Sequence, residues 1–175
     1  KLAYGNRDNC ALHSSTFSGI GESCAVAIET LNYISDKNFL KSVDDKAVLL
    51  KSELVSLHKK YPKYIKSIKG EGLFLGIEFD FGWISKVASI SKSKKISKMA
   101  NGLGIAAIVR SFFKDYDVLV HFSGSNPSVL HLMPPLIISD SEIKLFITAL
   151  RSMLNSSFES TLLRFLTGNL KDVVR

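Results

Sequence analysis

The sequence predicts an α+β fold, a small antiparallel sheet with helices packed on it. Three observations carry that reading. Apolar residues recur at helical spacing at Leu49, Leu50, Leu54 and Leu57, and again at Ile143, Phe146, Ile147, Leu150 and Leu154. Val118–Phe122 and Val129–Met133 are short β-rich runs on either side of Ser123-Gly124-Ser125-Asn126-Pro127, the pattern of a hairpin. Between the helical stretches, Ile65–Phe79 reads as extended chain interrupted by three glycines.

Taken in order, residues 1–19 read as loop with one short strand. A helix is expected from Glu22 to Ile34, apolar almost all round in its first turns, which predicts deep burial for that end and for Cys24. Asp36-Lys37-Asn38 breaks the pattern, and the next helix is expected from about Asp44 to Lys60, stopped by Pro62. In Gly70-Glu71-Gly72-Leu73-Phe74-Leu75-Gly76 the glycines suit a turn before a strand and a close backbone approach within it. Residues 83–103 are polar and predict a helix with a weak apolar face, after which Ile105, Ile108, Val109, Phe112 and Phe113 repeat at helical spacing. Asp140 is the expected cap of the next helix, and Phe158 to Arg175 forms one more amphipathic helix.

Composition limits the functional classes. The chain has 175 residues, 46% hydrophobic and 22% charged, enough for one domain with a core or one domain plus a piece of another. No run of about 18 uncharged apolar residues exists, so no membrane span is expected. Cys10 and Cys24 form no CxxC and no Cys/His cluster, which fits a reducing cytoplasm. The formal charge is +7, and five lysines fall between Lys86 and Lys98. Only Trp83 lies near that run to stack on bases, so it reads as a solvated helix face or loop, not a nucleic-acid site.

The chemistry concentrates in one stretch. His13-Ser14-Ser15-Thr16-Phe17-Ser18-Gly19-Ile20-Gly21-Glu22 places three hydroxyls in a row, then glycines, then a helix start, a combination that suits a phosphate or simply a Ser-rich loop entering a helix. Glu22 at the helix start already answers the helix dipole, so a phosphate belongs on the loop hydroxyls. His13, His58, His121 and His131 lack HExxH or HxH spacing, and no metal site is expected. No GxSxG elbow and no P-loop are present, and the carboxylates Glu71 and Glu78 are not expected to pair.

Three segments in order resemble the C-terminal portion of class III aminotransferases, pyridoxal-phosphate enzymes of fold type I. They are His13–Gly19 running into Cys24-Ala25-Val26-Ala27-Ile28, then Gly70–Glu78, then Val129-Leu130-His131-Leu132-Met133-Pro134-Pro135-Leu136-Ile137-Ile138. The resemblance covers nearly everything except the Lys-rich stretch and the tail. It implies that residues 1–35 end the large cofactor-binding domain, 36–156 form the small C-terminal domain, and 157–175 are an appended helix. It also implies transfer of an amino group from a small-molecule donor to an aldehyde or ketone acceptor through pyridoxal 5'-phosphate and its pyridoxamine form, in a cytoplasmic, biosynthetic homodimer with shared active sites.

By that resemblance Thr16, with Ser15 beside it, binds the cofactor phosphate across the dimer interface, and His131 lines the substrate pocket. The Schiff-base lysine would lie upstream of Lys1, so no catalytic residue is expected in this stretch, and the absence of an initiator Met fits a piece of a longer enzyme. Many family members carry arginine at the His131 position. Histidine cannot make the same bidentate fork, which predicts a relaxed carboxylate clamp and an acceptor without an α-carboxylate, such as a lipid- or polyketide-derived carbonyl. The alternative is a non-catalytic module of the same fold that binds an acidic partner or nucleic acid through its lysines.

Overall fold

The computed structural model describes residues 16, 19–82 and 94–173, with side chains placed in the last stretch from 101 to 165. The chain forms two compact units, residues 1–41 and 42–175. In the first, helix α1 spans Gly21–Ile34. Helix α2, Lys37–Lys60, starts about seven residues earlier than its leucine stripe predicts. The reason is local: the Asp36 carboxylate accepts the Asn38 N–H at 2.7 Å, so the polar triplet Asp36-Lys37-Asn38 starts a helix as well as interrupting the pattern. Tyr33 packs edge-on against Phe39 across that joint, ring centroids 5.6 Å apart.

The second unit is built on a four-stranded antiparallel sheet of order β1-β2-β4-β3. Its strands are β1 (Ile65–Glu71), β2 (Phe74–Phe79), β3 (His121–Phe122) and β4 (Val129–Leu132). The remaining helices are α3 (Lys94–Tyr116), α4 (Asp140–Asn155) and α5 (Phe158–Val173). The expected extended stretch is thus a tight hairpin. Its turn needs Gly70, which sits at φ +117, where a Cβ would collide with the Phe74 carbonyl oxygen. Within β2, a Cβ on Gly76 would come within 3.1 Å of Val129 Cγ1, so this glycine marks the expected close approach between strands. The second hairpin pairs as expected but is shorter on its first arm, where only His121–Phe122 are strand. Asp117, at φ +54, turns the chain out of α3 first, so the run to Val120 meets the sheet late.

One face of the sheet makes the core. Ile65, Leu75, Ile77, Phe79, Leu130 and Leu132 alternate inward and meet Leu50, Leu54 and Leu57 of α2, Ile105, Ile108 and Phe112 of α3, and the stripe of α4. Phe112 stacks on Phe146 at 5.3 Å and 10°. α4 starts on a capping box. Ser139, not Asp140, is the cap: its hydroxyl accepts the Glu142 N–H at 3.2 Å while Glu142 takes the Ser139 N–H at 2.7 Å. The tail helix is part of this unit. Phe158 is buried against Tyr64 and Phe79, and Glu159 holds Lys63 at 2.7 Å and Tyr64 at 2.8 Å.

Two expectations fail in the first unit. No residue of α1 is buried, and Val26, Ile28, Leu31 and Tyr33 are all more than half exposed. Cys24 is a free, exposed thiol and not a buried one. An apolar helix records what its residues favour, while burial depends on what is packed against it.

Candidate functional site

Thr16 lies in a turn and is exposed, and Gly19 follows at φ +78 with open space where a Cβ would stand. Ile20 is the N-cap residue of α1 and makes no side-chain cap, although its carbonyl accepts the Cys24 N–H at 3.0 Å. The exposed Thr16 hydroxyl is a donor that fits a phosphate, while Glu22 in the first turn of α1 keeps the helix end from being that donor. Ser15, His13, Ser14 and Cys10 lie outside the described residues, as do Lys86 and Lys92 of the basic run.

His131 sits in the middle of β4. Leu130 and Leu132 on either side turn into the core, so His131 points to the opposite face of the sheet. Its Cα partners are Gly76 on β2 and His121 on β3. Val129 Cγ1 covers Gly76, 3.1 Å from where its Cβ would stand, and the Phe74 ring meets the His131 imidazole edge-on at 6.3 Å. His131 is half-buried. At the β3 edge a cleft of about 530 Å³ opens against the core residues Leu50, Leu132, Ile143 and Phe146, with Val118, Met133 and Pro134 beside them and His121 and His131 also in its lining. This is a mostly apolar hollow with a few polar groups, the general form of a small-molecule site.

The same face carries a charged cluster nearer β1. Glu78 takes the Lys66 ammonium at 2.7 Å, the Ser67 hydroxyl at 2.8 Å and Lys69 at 3.7 Å, with its own side chain only 14% exposed. The hydrogen bond from Lys66, then that from Ser67, holds its carboxyl below the ordinary value. Glu71 stands on the other strand of that hairpin and ion-pairs with Lys51, so the two carboxylates do not form a pair. Among the described residues no group of three or more His, Cys, Asp or Glu could hold a metal, and no helix is long and apolar enough to cross a membrane.

Thr16 belongs to the first unit and His131 to the second, and each is described on its own. His121 is a cleft-lining residue that the motif reading passes over. Counting outward from the hairpin turn would have found it, because Phe122 pairs with Leu130 and His121 with His131.

This fold is shared with solved aminotransferases. A Bacillus anthracis aminotransferase superposes with a TM-score of 0.60 at 23% identity, covering 93% of this chain and 33% of that one. An adenosylmethionine-8-amino-7-oxononanoate aminotransferase from Methanocaldococcus jannaschii superposes at 0.61 with 22% identity, covering 83% and 30%. The family model "Aminotransferase class-III" matches residues 2–154, and the chain belongs to that family. Its curated relatives include an acetylornithine aminotransferase of Caldanaerobacter subterraneus, 30% identical over 75% of this chain and 27% of the relative. The aminotransferase PigE of Serratia sp. is 25% identical over 83% of this chain and 20% of the relative. The chain therefore spans only about a quarter of the length of the curated relatives it matches. All of α5 lies beyond the family match, although its first residue, Phe158, is buried in the core.

Proposed function

We propose that this chain is the C-terminal part of a pyridoxal-phosphate-dependent class III aminotransferase that works as a homodimer with shared active sites. The family match over residues 2–154 carries the reading. Residues 1–35 end the large domain, 36–156 form the small domain and 157–175 are an appended helix. The Thr16 hydroxyl, with Ser15 next to it, holds the cofactor phosphate of the partner subunit by short charge-assisted hydrogen bonds. When bound, the cofactor supplies the electron sink on which the amino group is exchanged. The lysine that reacts with it lies upstream of this stretch.

The small domain closes over the substrate and excludes water. His131 faces the substrate from β4. Because an imidazole offers no fork, the carbonyl acceptor is an aldehyde or ketone without an α-carboxylate, received on an apolar wall. The test is the full-length protein, assayed with one amino-acid donor and a series of 2-oxo acids and aldehydes of equal chain length. Aldehydes are expected to be the better acceptors, and His131→Arg is expected to shift preference toward 2-oxo acids. An unchanged acceptor range in the Arg variant would contradict the role of His131.

A further inference from the structure

We propose that the hollow between α3 and α5 is a binding site for a single phosphate group, free or carried as a small phosphomonoester, held by Arg110, Lys114 and Arg164. None of these residues has a part in the roles given to Thr16 and His131.

Sequence spacing builds the site. Ala107, Arg110, Ser111 and Lys114 recur at three- and four-residue intervals, with Asp115 four residues after Ser111, so they share one face of α3. Thr161, Arg164 and Phe165 do the same on α5. The two faces enclose a hollow of about 150 Å³. Buried Ala107, Ser111 and Thr161 line its inner side, and the longer Arg110, Lys114 and Arg164 complete it toward solvent. The α5 wall comes from the segment beyond the family match, so the matched region supplies only half of the site.

Charge selects the ligand. Arg110, Lys114 and Arg164 are cations, and among the described residues Asp115 is the one carboxylate of the lining. Three cations against one carboxylate leave two positive charges. A phosphate monoester, with about −1.5 to −2 charge at neutral pH, offsets them, and a single carboxylate offsets only half. Two guanidinium groups also match phosphate oxygens in pairs, while the ammonium adds a point charge. Among the described residues Lys114 makes no ion pair, and its ammonium lies 5.4 Å from the centre of the Phe113 ring. Asp115 holds the frame. It accepts the Ser111 hydroxyl at 2.7 Å, and Arg164 Nη1 reaches the same Oδ2 at 3.7 Å. An exposed ion pair at that distance is weak, so Arg164 can yield to a stronger anion. The Thr161 hydroxyl makes only a 3.5 Å contact with the Ser157 carbonyl, at the limit of a hydrogen bond, and can turn to a phosphate oxygen. Asp115 thus competes with the ligand for Arg164, and removing its charge separates a ligand site from a mere tie between helices.

The experiment uses the full-length enzyme saturated with pyridoxal phosphate, at constant ionic strength in a phosphate-free buffer. Binding of radiolabelled inorganic phosphate is measured by equilibrium dialysis, with thermal unfolding followed in parallel. Wild type is expected to bind one phosphate per chain, with Tm rising saturably as the site fills. Acetate at the same concentration is expected to leave Tm unchanged. Arg110→Ala and Lys114→Ala are each expected to weaken phosphate binding about tenfold, the usual loss of one hydrogen bond to a charged group. Asp115→Asn is expected to tighten it about two- to fivefold, the worth of an exposed ion pair, because Arg164 loses its competing partner. A cluster that only ties α5 to α3 predicts otherwise: Asp115→Asn lowers Tm and phosphate binding stays at background, which overturns the proposal. Binding that falls with Thr16→Val and not with Arg110→Ala belongs to the cofactor site and overturns it too. Glycerol 3-phosphate that displaces the label at lower concentration than unlabelled phosphate assigns the site to a phosphomonoester, and the opposite order assigns it to free phosphate.

Discussion

Helices α1 and α4 are similar in length and opposite in fate. α1 has 14 residues, no side-chain cap and no buried residue. α4 has 16 residues, a capping box and seven buried residues. The sequence of α4 separates an apolar stripe from a polar face and starts on Ser139-x-x-Glu142, so its local signals and its packing agree. α1 is apolar almost all round at its start, which states that it favours burial but names no partner. The second unit buries its own core, and the first leaves the apolar residues of α1 and Thr16 exposed.

That contrast can be broken by substitution in the second unit, with thermal or denaturant unfolding as the readout. The largest effect is expected from Phe112→Ala, which removes a fully buried ring stacked on Phe146 and should cost about 3–5 kcal/mol. Ile28→Ala in α1, 60% exposed, should change stability of this stretch by no more than about 0.5 kcal/mol. Equal losses at the two positions would erase the distinction. Next comes Gly70→Ala, which forces a Cβ into the Phe74 carbonyl at φ +117 and should cost about 1–3 kcal/mol. Ser139→Ala should cost about 1 kcal/mol through the lost cap, whereas Asp140→Ala should cost less because Asp140 is not the cap.

The smallest expected effect is a pH dependence. The Glu78 carboxyl is held below its ordinary 4.5 in the folded state. Its contribution to stability is therefore complete above that value and is lost as pH falls through the lowered folded one. Denaturation midpoints should decline in acid, and Glu78→Gln should flatten the part of the decline that Glu78 causes. A slope unchanged by that substitution would show that Lys66 and Ser67 do not favour the charged form.

The legible parts of the fold are those where one local signal suffices. The leucine stripe of α2, the stripe of α4, the hairpin at Ser123–Pro127 and the glycine turn at Gly70 are all visible in composition and spacing. The misjudged parts are those where two signals compete or where the partner is remote. Asp140 outranked Ser139 as a cap by residue type alone, although only Ser139 stands three residues before Glu142. Cys24 was expected inside because its neighbours are apolar, and it is exposed. Thr16 and His131 stand out through motifs, whereas the cleft-lining His121 becomes visible only when the two strands are set in register.

The central claim is that Thr16 serves a cofactor held by the other subunit. The direct measurement is cofactor binding in a hybrid dimer of full-length chains. One chain carries Thr16→Val, and the other lacks the lysine that reacts with the cofactor. If Thr16 acts across the interface, the hybrid has one intact site, formed by the lysine of the first chain and Thr16 of the second. It should then bind one pyridoxal phosphate per dimer with wild-type affinity and show about half of wild-type activity, as one working site of two predicts. If Thr16 acts within its own chain, every site in the hybrid lacks one of the two groups. A hybrid no tighter than the Thr16→Val homodimer would contradict the account.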